Sequence, residues 1–207
     1  MLMNLPRRAI IARAPAPRAP RRRAFTLVET TLTTIIVGLA ITALVKLVLT
    51  STQQNRYTQR LTIGCLLAEN GREMLANLPF CDPAEATLIF GPEPGEVPAT
   101  YNDVDDFDGF DSTVRPDLPV GSPVGVVDAA RRVITTTVNG VQQVPAEWAN
   151  WRQQIAVDPI DPNNLATVFP KPDTTRNCVR VTVTISYLPP GEATWQTVTQ
   201  LRWVKTR

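Results

Sequence analysis

The chain has 207 residues and a formal net charge of +2, with 21 basic and 19 acidic side chains, three cysteines and no histidine. The lack of histidine removes the commonest general base and the commonest transition-metal ligand, and three scattered cysteines are too few for a zinc cluster. The sequence also has no Gly-x-Ser-x-Gly, Ser-x-x-Lys or phosphate-binding glycine motif, so we do not expect an enzyme.

The basic residues are concentrated at the N-terminus. Residues 1–24 contain seven arginines, no acid, and three closely spaced prolines (Pro15, Pro17 and Pro20) that prevent a helix. We interpret this segment as a leader peptide that does not contribute to the fold. The rest of the chain has 14 basic and 19 acidic residues, a formal charge of −5, and this balance argues against nucleic-acid binding.

The next segment is apolar. From Phe25 to Leu49 the only ionisable side chains are Glu29 and Lys46. About 25 residues at about 1.5 Å each are long enough to cross a hydrocarbon layer of about 30 Å. The pattern predicts one membrane-spanning helix, and the arginines before it predict a cytoplasmic N-terminus.

Glu29 is unexpected in such a helix, because a carboxylate near the lipid is costly unless it has a partner. A cut between Ala24 and Phe25 would provide one. The new amino group of Phe25 would lie one helical turn from Glu29 and could pair with it, or with Glu29 of a neighbouring subunit.

The stretch Arg21–Glu29, followed by the apolar helix, resembles the prepilin cleavage and methylation site of type IV pilins and type II secretion pseudopilins. The resemblance implies that a prepilin peptidase cuts between Ala24 and Phe25, that Phe25 is N-methylated, and that Glu29 guides assembly into a filament. Ala24 stands where the family usually has glycine. An uncleaved signal anchor, with Glu29 reaching the membrane interface, is the alternative.

The resemblance also implies partners and a location. The expected partners are other pilin or pseudopilin subunits, the prepilin peptidase/methyltransferase, the inner-membrane assembly platform and the lipid bilayer. The expected location is the bacterial inner membrane, with a periplasmic C-terminal domain, and later the pilus or pseudopilus.

We expect the helix to continue beyond the membrane, because residues 50–78 lack proline and carry apolar or small residues at helical spacing. The Leu78-Pro79 step ends it. The predicted organisation is leader 1–24, transmembrane helix 25–49, amphipathic continuation 50–78 and a β-rich domain 79–207. The stripe expected to pack on that domain is Tyr57, Leu61, Gly64, Ala68, Leu75 and Leu78, with Leu67, Gly71 and Met74 beside it.

An acidic stretch follows at residues 101–111. Several carboxylates near one turn can converge on a hard cation, so a calcium site is a candidate, although the spacing does not match an EF-hand. The alternative is a solvated acidic turn anchored by its aromatic residues. The stretch is also similar to one in minor pilins of the mannose-sensitive haemagglutinin type. The candidate ligands are Asp103, Asp105, Asp106 and Asp108.

The remainder indicates an antiparallel sheet, giving an α+β fold in which one long N-terminal helix packs on a C-terminal sheet with proline-rich loops. Alternating β-formers predict a strand at Cys178–Tyr187, with Val179, Val181, Val183 and Ile185 facing the helix. Asn139-Gly140 predicts a hairpin turn. The other predicted strands are Thr87–Phe90, Val133–Val138, Val141–Val144, Trp151–Val157 and Thr194–Lys205.

Two pairs of residues remain open to two interpretations each. Cys81 and Cys178 could form a disulfide in an oxidising compartment, or remain free thiols, and Cys65 is left over in either case. Trp148 and Trp151 could form a sugar platform, but core or interface packing is the simpler role.

Together these features favour a structural subunit, a minor pilin or pseudopilin, with no cofactor unless the acidic stretch binds Ca²⁺. Two alternatives come from other classes of protein. One is a surface adhesin or DNA-uptake subunit at a filament tip, and the other is a membrane-anchored periplasmic protein that joins no filament.

Overall fold

A computed structural model describes residues 26–82, 90–171 and 177–207. Its elements confirm the predicted α+β class, with one long N-terminal apolar helix and antiparallel sheets. The chain divides into two compact units between Ser51 and Thr52. The elements are α1 (Leu27–Ala76), a 3₁₀ helix (Asp105–Phe107), β1 (Thr136–Val138), β2 (Val141–Gln143), β3 (Trp151–Asp161), β4 (Asn164–Val168), β5 (Cys178–Tyr187) and β6 (Gln196–Thr206).

The described part of the first unit is the N-terminal half of α1. Its first turn is capped by Thr26, whose hydroxyl oxygen accepts a hydrogen bond from the Glu29 backbone N–H at 3.3 Å. A threonine followed three residues later by glutamate is the pattern of a helix N-terminus, and an acid in the first turn interacts favourably with the helix dipole. Every residue from 26 to 59 is exposed.

The second unit is built on a four-stranded antiparallel sheet in the order β4-β3-β5-β6. Val183 of β5 lies opposite Ile155 of β3 and Leu201 of β6, so the apolar side chains of three strands share one face. Along β5 the valines are buried, whereas Arg180 and Thr182 on the other face are half-buried. The predicted inward face of this strand is confirmed.

The C-terminal half of α1 packs on that face through small residues. A β-carbon built on Gly71 would lie 3.0 Å from Val183 Cγ1, and one built on Gly64 would lie 2.9 Å from Val198 Cγ1. The two glycines are two turns apart and let the helix backbone approach the sheet closely. The buried helix residues are Gly64, Leu67, Ala68, Gly71, Met74 and Leu75.

The predicted packing stripe was wrong at its N-terminal end. Tyr57 is 67% exposed and Leu61 is 36% exposed. Within the described residues the buried part of α1 begins at Gly64, beside Val198 and Thr199 near the start of β6. The helical spacing of apolar and small residues continues for two turns beyond the buried part of the helix. This spacing alone does not show where the sheet that covers the helix ends.

The C-terminus of α1 is held by the sheet. The Lys205 ammonium of β6 donates hydrogen bonds to the carbonyl oxygens of Leu75, at 3.2 Å, and Leu78. Since the last turn of the helix has no basic residue of its own, Lys205 provides the positive charge that the C-terminal carbonyls favour.

A buried glutamine joins the helix, a loop and the sheet. The Gln153 side-chain oxygen accepts from the Val127 N–H at 2.6 Å, and its amide nitrogen donates to the carbonyl oxygens of Leu67, at 3.1 Å, and Val127, at 3.2 Å. Gln153 is 2% exposed, so these bonds satisfy polar groups that water cannot reach.

The smaller sheet is the predicted hairpin. Val138 pairs with Val141 across Asn139 and Gly140, whose φ angles of 52° and 80° are both positive. Two positive φ angles at the central positions define the type I′ turn that Asn-Gly favours. Strand β4 was not predicted, and most of the strand expected at Thr87–Phe90 lies outside the described residues.

Candidate functional site

The candidate site splits between the membrane-compatible helix and the acidic loop. One described helix, α1, is long and apolar enough to cross a membrane. Ala24 and Phe25, the expected cleavage and methylation residues, lie outside the described residues.

Glu29 lies on the first turn of α1 and is exposed. Its backbone N–H bonds to Thr26, but among the described residues its carboxylate has no ion-pair partner. The first turn of a helix favours a negative charge by a few tenths of a kcal/mol to about 1 kcal/mol, which is less than the few kcal/mol that a carboxylate costs in lipid. The helix dipole alone therefore does not make Glu29 compatible with an apolar surrounding.

The threonines of this segment satisfy their own hydroxyl groups. Thr33 donates to the Glu29 carbonyl oxygen at 2.7 Å, and Thr42 donates to the Gly38 carbonyl oxygen at 2.9 Å. Thr30, Thr31 and Thr34 make equivalent bonds within the helix. A helix whose polar side chains bond to its own backbone leaves few unsatisfied donors, as burial in lipid or among other helices requires.

The acidic loop is placed by two long-range contacts. The Val104 N–H donates to the Pro79 carbonyl oxygen at 3.2 Å, and the Gly91 N–H donates to Asp105 Oδ2 at 3.2 Å. Val104 and Phe107 are fully buried in the same core as the sheet, with Tyr101 and Phe110 packed edge-on or tilted against Phe107. The aromatic residues anchor the loop, as the alternative of a solvated acidic turn expected. The carboxylates of Asp103, Asp105 and Asp106 are buried, however, and not solvated.

Hydrogen bonds within the loop fix two of its carboxylates. Asp106 Oδ2 accepts from the N–H groups of Asn102, at 2.9 Å, and Asp103, at 3.2 Å, while Asp103 Oδ1 accepts from the Asp106 N–H at 3.2 Å. Glu93 belongs to the same cluster, since its carboxylate and those of Asp103 and Asp106 each offer an oxygen within 4.8 Å of the others.

Crowding of these acids in a buried place disfavours their ionised forms. Burial, followed by the charge of Asp105, raises the pKa of Asp103 to about 8. Burial, followed by the neighbouring Glu93 side chain, raises the pKa of Glu96 to about 7. Burial also raises the pKa values of Asp105 and Asp106. A cation among them would reverse this effect.

Asp108, the fourth expected ligand, lies elsewhere. It follows the 3₁₀ helix in an extended conformation, and its Oδ1 accepts from the Val157 N–H at 3.0 Å and pairs with Lys171 at 2.7 Å. The prediction that all four aspartates converge was wrong. Asp103 and Asp106 join the cluster, whereas Asp105 is not part of it and accepts from the Gly91 N–H through its Oδ2. Asp108 does not join because the backbone leaves the 3₁₀ turn there and carries its side chain to β3. Sequence reasoning missed Glu93, which is ten residues before Asp103 and gave no local signal.

The remaining candidate residues belong to the core or stand alone. Trp151 is buried against Tyr187, with ring centroids 5.1 Å apart, and Trp148 packs beside the core, so core packing is confirmed over a sugar platform.

All three cysteines are free thiols in the structure: Cys65 is exposed, Cys81 is half-buried and Cys178 is buried. The structure thus does not contain the Cys81–Cys178 bridge.

Comparison of the chain with protein-family models, with curated proteins and with solved structures finds no match.

Proposed function

We propose that this chain is a structural subunit, a minor pilin or pseudopilin, that is anchored in the bacterial inner membrane and assembled into a helical filament through α1. The observation that carries the proposal is the surface of that helix. It is apolar over its N-terminal half and exposed at every residue from 26 to 59, while its C-terminal half packs on the sheet.

An apolar helical surface of this size needs a covering. Side chains such as Leu32, Ile36, Leu39 and Leu44 are each more than half exposed. Lipid tails can cover them, and so can the same helix of neighbouring copies, because both environments are apolar. Transfer between the two changes little hydrophobic energy, so in this proposal a motor drives extraction from the membrane and the helices form the filament core.

Glu29 gives the assembly its register in this proposal. After cleavage by the prepilin peptidase, the amino group of Phe25 and the Glu29 carboxylate lie about one turn apart, or meet across two subunits. An uncompensated carboxylate inside an apolar helix bundle is strongly destabilising, whereas an amine at the same level pairs with it. Only helices aligned to form that pair assemble without the penalty.

The proposal is tested in the bacterium that encodes the chain by comparing Glu29→Gln with Glu73→Gln. Both variants remove one carboxylate from an exposed position on α1, but Glu73 lies in the half of the helix that packs on the sheet. The amounts of the chain in sheared filaments and in membranes are measured by immunoblotting.

We expect Glu29→Gln to reach the membrane at the wild-type level and to fall at least about tenfold in the filament fraction, the change that a 1.4 kcal/mol loss of pairing produces. Glu73→Gln should resemble wild type in both fractions. Equal incorporation of the two variants would contradict the role of Glu29. A wild-type chain absent from sheared filaments would favour a membrane-anchored protein outside any filament, and immunogold labelling confined to filament ends would indicate a tip subunit.

A further inference from the structure

The acidic loop contains more negative charge than its described neighbours neutralise. Glu93, Asp103 and Asp106 bring three carboxylates together, and the last two are each 1% exposed. Among the described residues, Arg131 interacts electrostatically with Asp106, and Lys205 with Asp103. Neither forms an ion pair with the three acids.

Both cations are engaged by other groups. The Arg131 guanidinium donates to the Tyr101 carbonyl oxygen and lies over the Phe107 ring, with 5.2 Å to its centroid. The Lys205 ammonium donates to the carbonyl oxygens at the end of α1. Within residues 26–82, 90–171 and 177–207, the acids therefore gather in a buried place without an ion pair to a basic side chain.

Some of the gathered oxygens have no hydrogen bond. Three carboxylate oxygens are inaccessible and have no hydrogen-bond partner among the residues that the structure describes: Asp106 Oδ1, Asp105 Oδ1 and Glu93 Oε2. The other oxygen of Asp106 accepts two backbone N–H groups. Burial of a carboxylate oxygen without a partner costs free energy, and buried carboxylates are normally paired or ligate a metal. Two of these oxygens belong to residues of the cluster, Glu93 and Asp106, and the third belongs to Asp105, the residue next to Asp106.

We propose that Glu93, Asp103 and Asp106 bind a calcium ion. All three provide carboxylate oxygens, and hard cations prefer such ligands to nitrogen or sulfur. An irregular loop suits Ca²⁺ better than Mg²⁺, because Ca²⁺ accepts six to eight ligands in flexible geometry, whereas Mg²⁺ demands a near-ideal octahedron and keeps its waters.

The ion joins two parts of the chain that the bond from the Gly91 N–H to Asp105 also connects. Glu93 lies in the loop after Gly91, and Asp103 and Asp106 flank the start of the 3₁₀ helix. Calcium bound between them ties that loop to the core next to the end of α1. The site lies within the second unit, so its test is separate from the test of filament assembly.

The test uses the full chain in detergent micelles, first stripped with EDTA. The melting temperature and the heat of binding are measured during titration with CaCl₂ and, separately, MgCl₂. The variants are Glu93→Gln and Asp106→Asn. Asparagine keeps an oxygen to accept the two backbone N–H groups that Asp106 holds, so it removes the charge with little change to the turn. Glu147→Gln, which removes an exposed acid from another loop, is the matched control.

We expect a saturable rise in the melting temperature of the wild type and of Glu147→Gln, with a Kd of about 10⁻⁴–10⁻³ M, as in extracellular calcium modules. Glu93→Gln and Asp106→Asn should lose at least about tenfold in calcium affinity, and in EDTA they should be at least as stable as wild type because a like charge has gone. The proposal would be overturned if the wild-type melting temperature were the same in EDTA and in CaCl₂. It would also be overturned if CaCl₂ raised the melting temperatures of Glu93→Gln and Asp106→Asn as much as that of wild type. An equal response to MgCl₂ would overturn the choice of calcium. If Asp106→Asn does not fold, Glu93→Gln decides alone, since Glu93 is only half-buried.

Discussion

Replacement of Gly71 by alanine should destabilise the second unit, although alanine is the better helix former. Gly71 lies inside α1, where propensity alone predicts that alanine stabilises by about 1 kcal/mol. The opposing effect comes from the sheet. The new β-carbon would lie 3.0 Å from Cγ1 and 3.3 Å from Cγ2 of Val183, closer than the about 3.5–4.0 Å at which carbon atoms attract.

Val183 cannot easily move away. It is fully buried at the centre of β5, paired on both sides, and its β-branched side chain has one or two preferred rotamers. Insertion of a methyl group into such a core costs about 1–3 kcal/mol. If the overpacking costs about 2 kcal/mol, the middle of that range, and the higher helix propensity of alanine returns about 1 kcal/mol, the net loss of stability is about 1 kcal/mol. For a domain of this size, such a loss lowers the melting temperature by about 2–4 °C.

Thermal unfolding of the full chain in mild detergent, followed by tryptophan fluorescence, measures this loss because Trp151 is buried in the same core. The double variant Gly71→Ala/Val183→Ala provides the control. If the methyl groups collide, the double variant lacks the collision term and should lose about 2 kcal/mol less than the sum of the two single variants. A Gly71→Ala protein that melts above wild type would refute the close approach of helix and sheet.

Three further outcomes follow from the structure. Gln153→Leu should destabilise by about 2–3 kcal/mol in the same assay, because it leaves the Val127 N–H and C=O buried without a partner; a loss under half that size would show that water replaces the bonds. Arg115 holds the pKa of Asp117 below its usual 3.8, and the two side chains are each 3% exposed. The stability that this ion pair contributes is therefore present above about pH 4, and it is lost as the pH falls through the lowered pKa of Asp117 in the folded protein. Asp117→Asn should be about 3 kcal/mol less stable than wild type at neutral pH and should approach wild type in acid. A stability difference that does not change with pH would contradict a stabilising role of the Arg115–Asp117 pair. Maleimide should label only Cys65 in the native chain and all three thiols after unfolding without reductant. A single labelled thiol in the unfolded chain would instead reveal the Cys81–Cys178 disulfide, one of the two alternatives that the sequence left open.

The sequence predicted the elements that local pattern determines. Strand β5 was predicted at its observed bounds, because its alternation of valine with polar residues allows one buried face. The Asn139-Gly140 turn was predicted because few other dipeptides adopt two positive φ angles. Strand β4 was missed because its residues are mostly exposed, so it lacks that alternation.

The acidic site was only partly predictable for a different reason. Asp103 and Asp106 are three residues apart in the sequence and lie together in the structure. Glu93 is brought beside them by a loop whose path depends on tertiary contacts, such as the hydrogen bond from the Val104 N–H to the Pro79 carbonyl oxygen. Asp108 is equally close in sequence, yet one extended residue after a 3₁₀ turn carries it to another element. Spacing along the chain therefore identified the acidic region but not the set of residues that converge.

The most direct test of the proposed filament subunit is the intact mass of the chain isolated from bacterial membranes, with sequencing of its N-terminal peptide. We expect a chain that begins at Phe25 and carries one methyl group on its amino terminus. A chain that retains residues 1–24, or one cut at any other bond, would contradict this expectation, because Glu29 would then lack the amine that the proposed assembly requires.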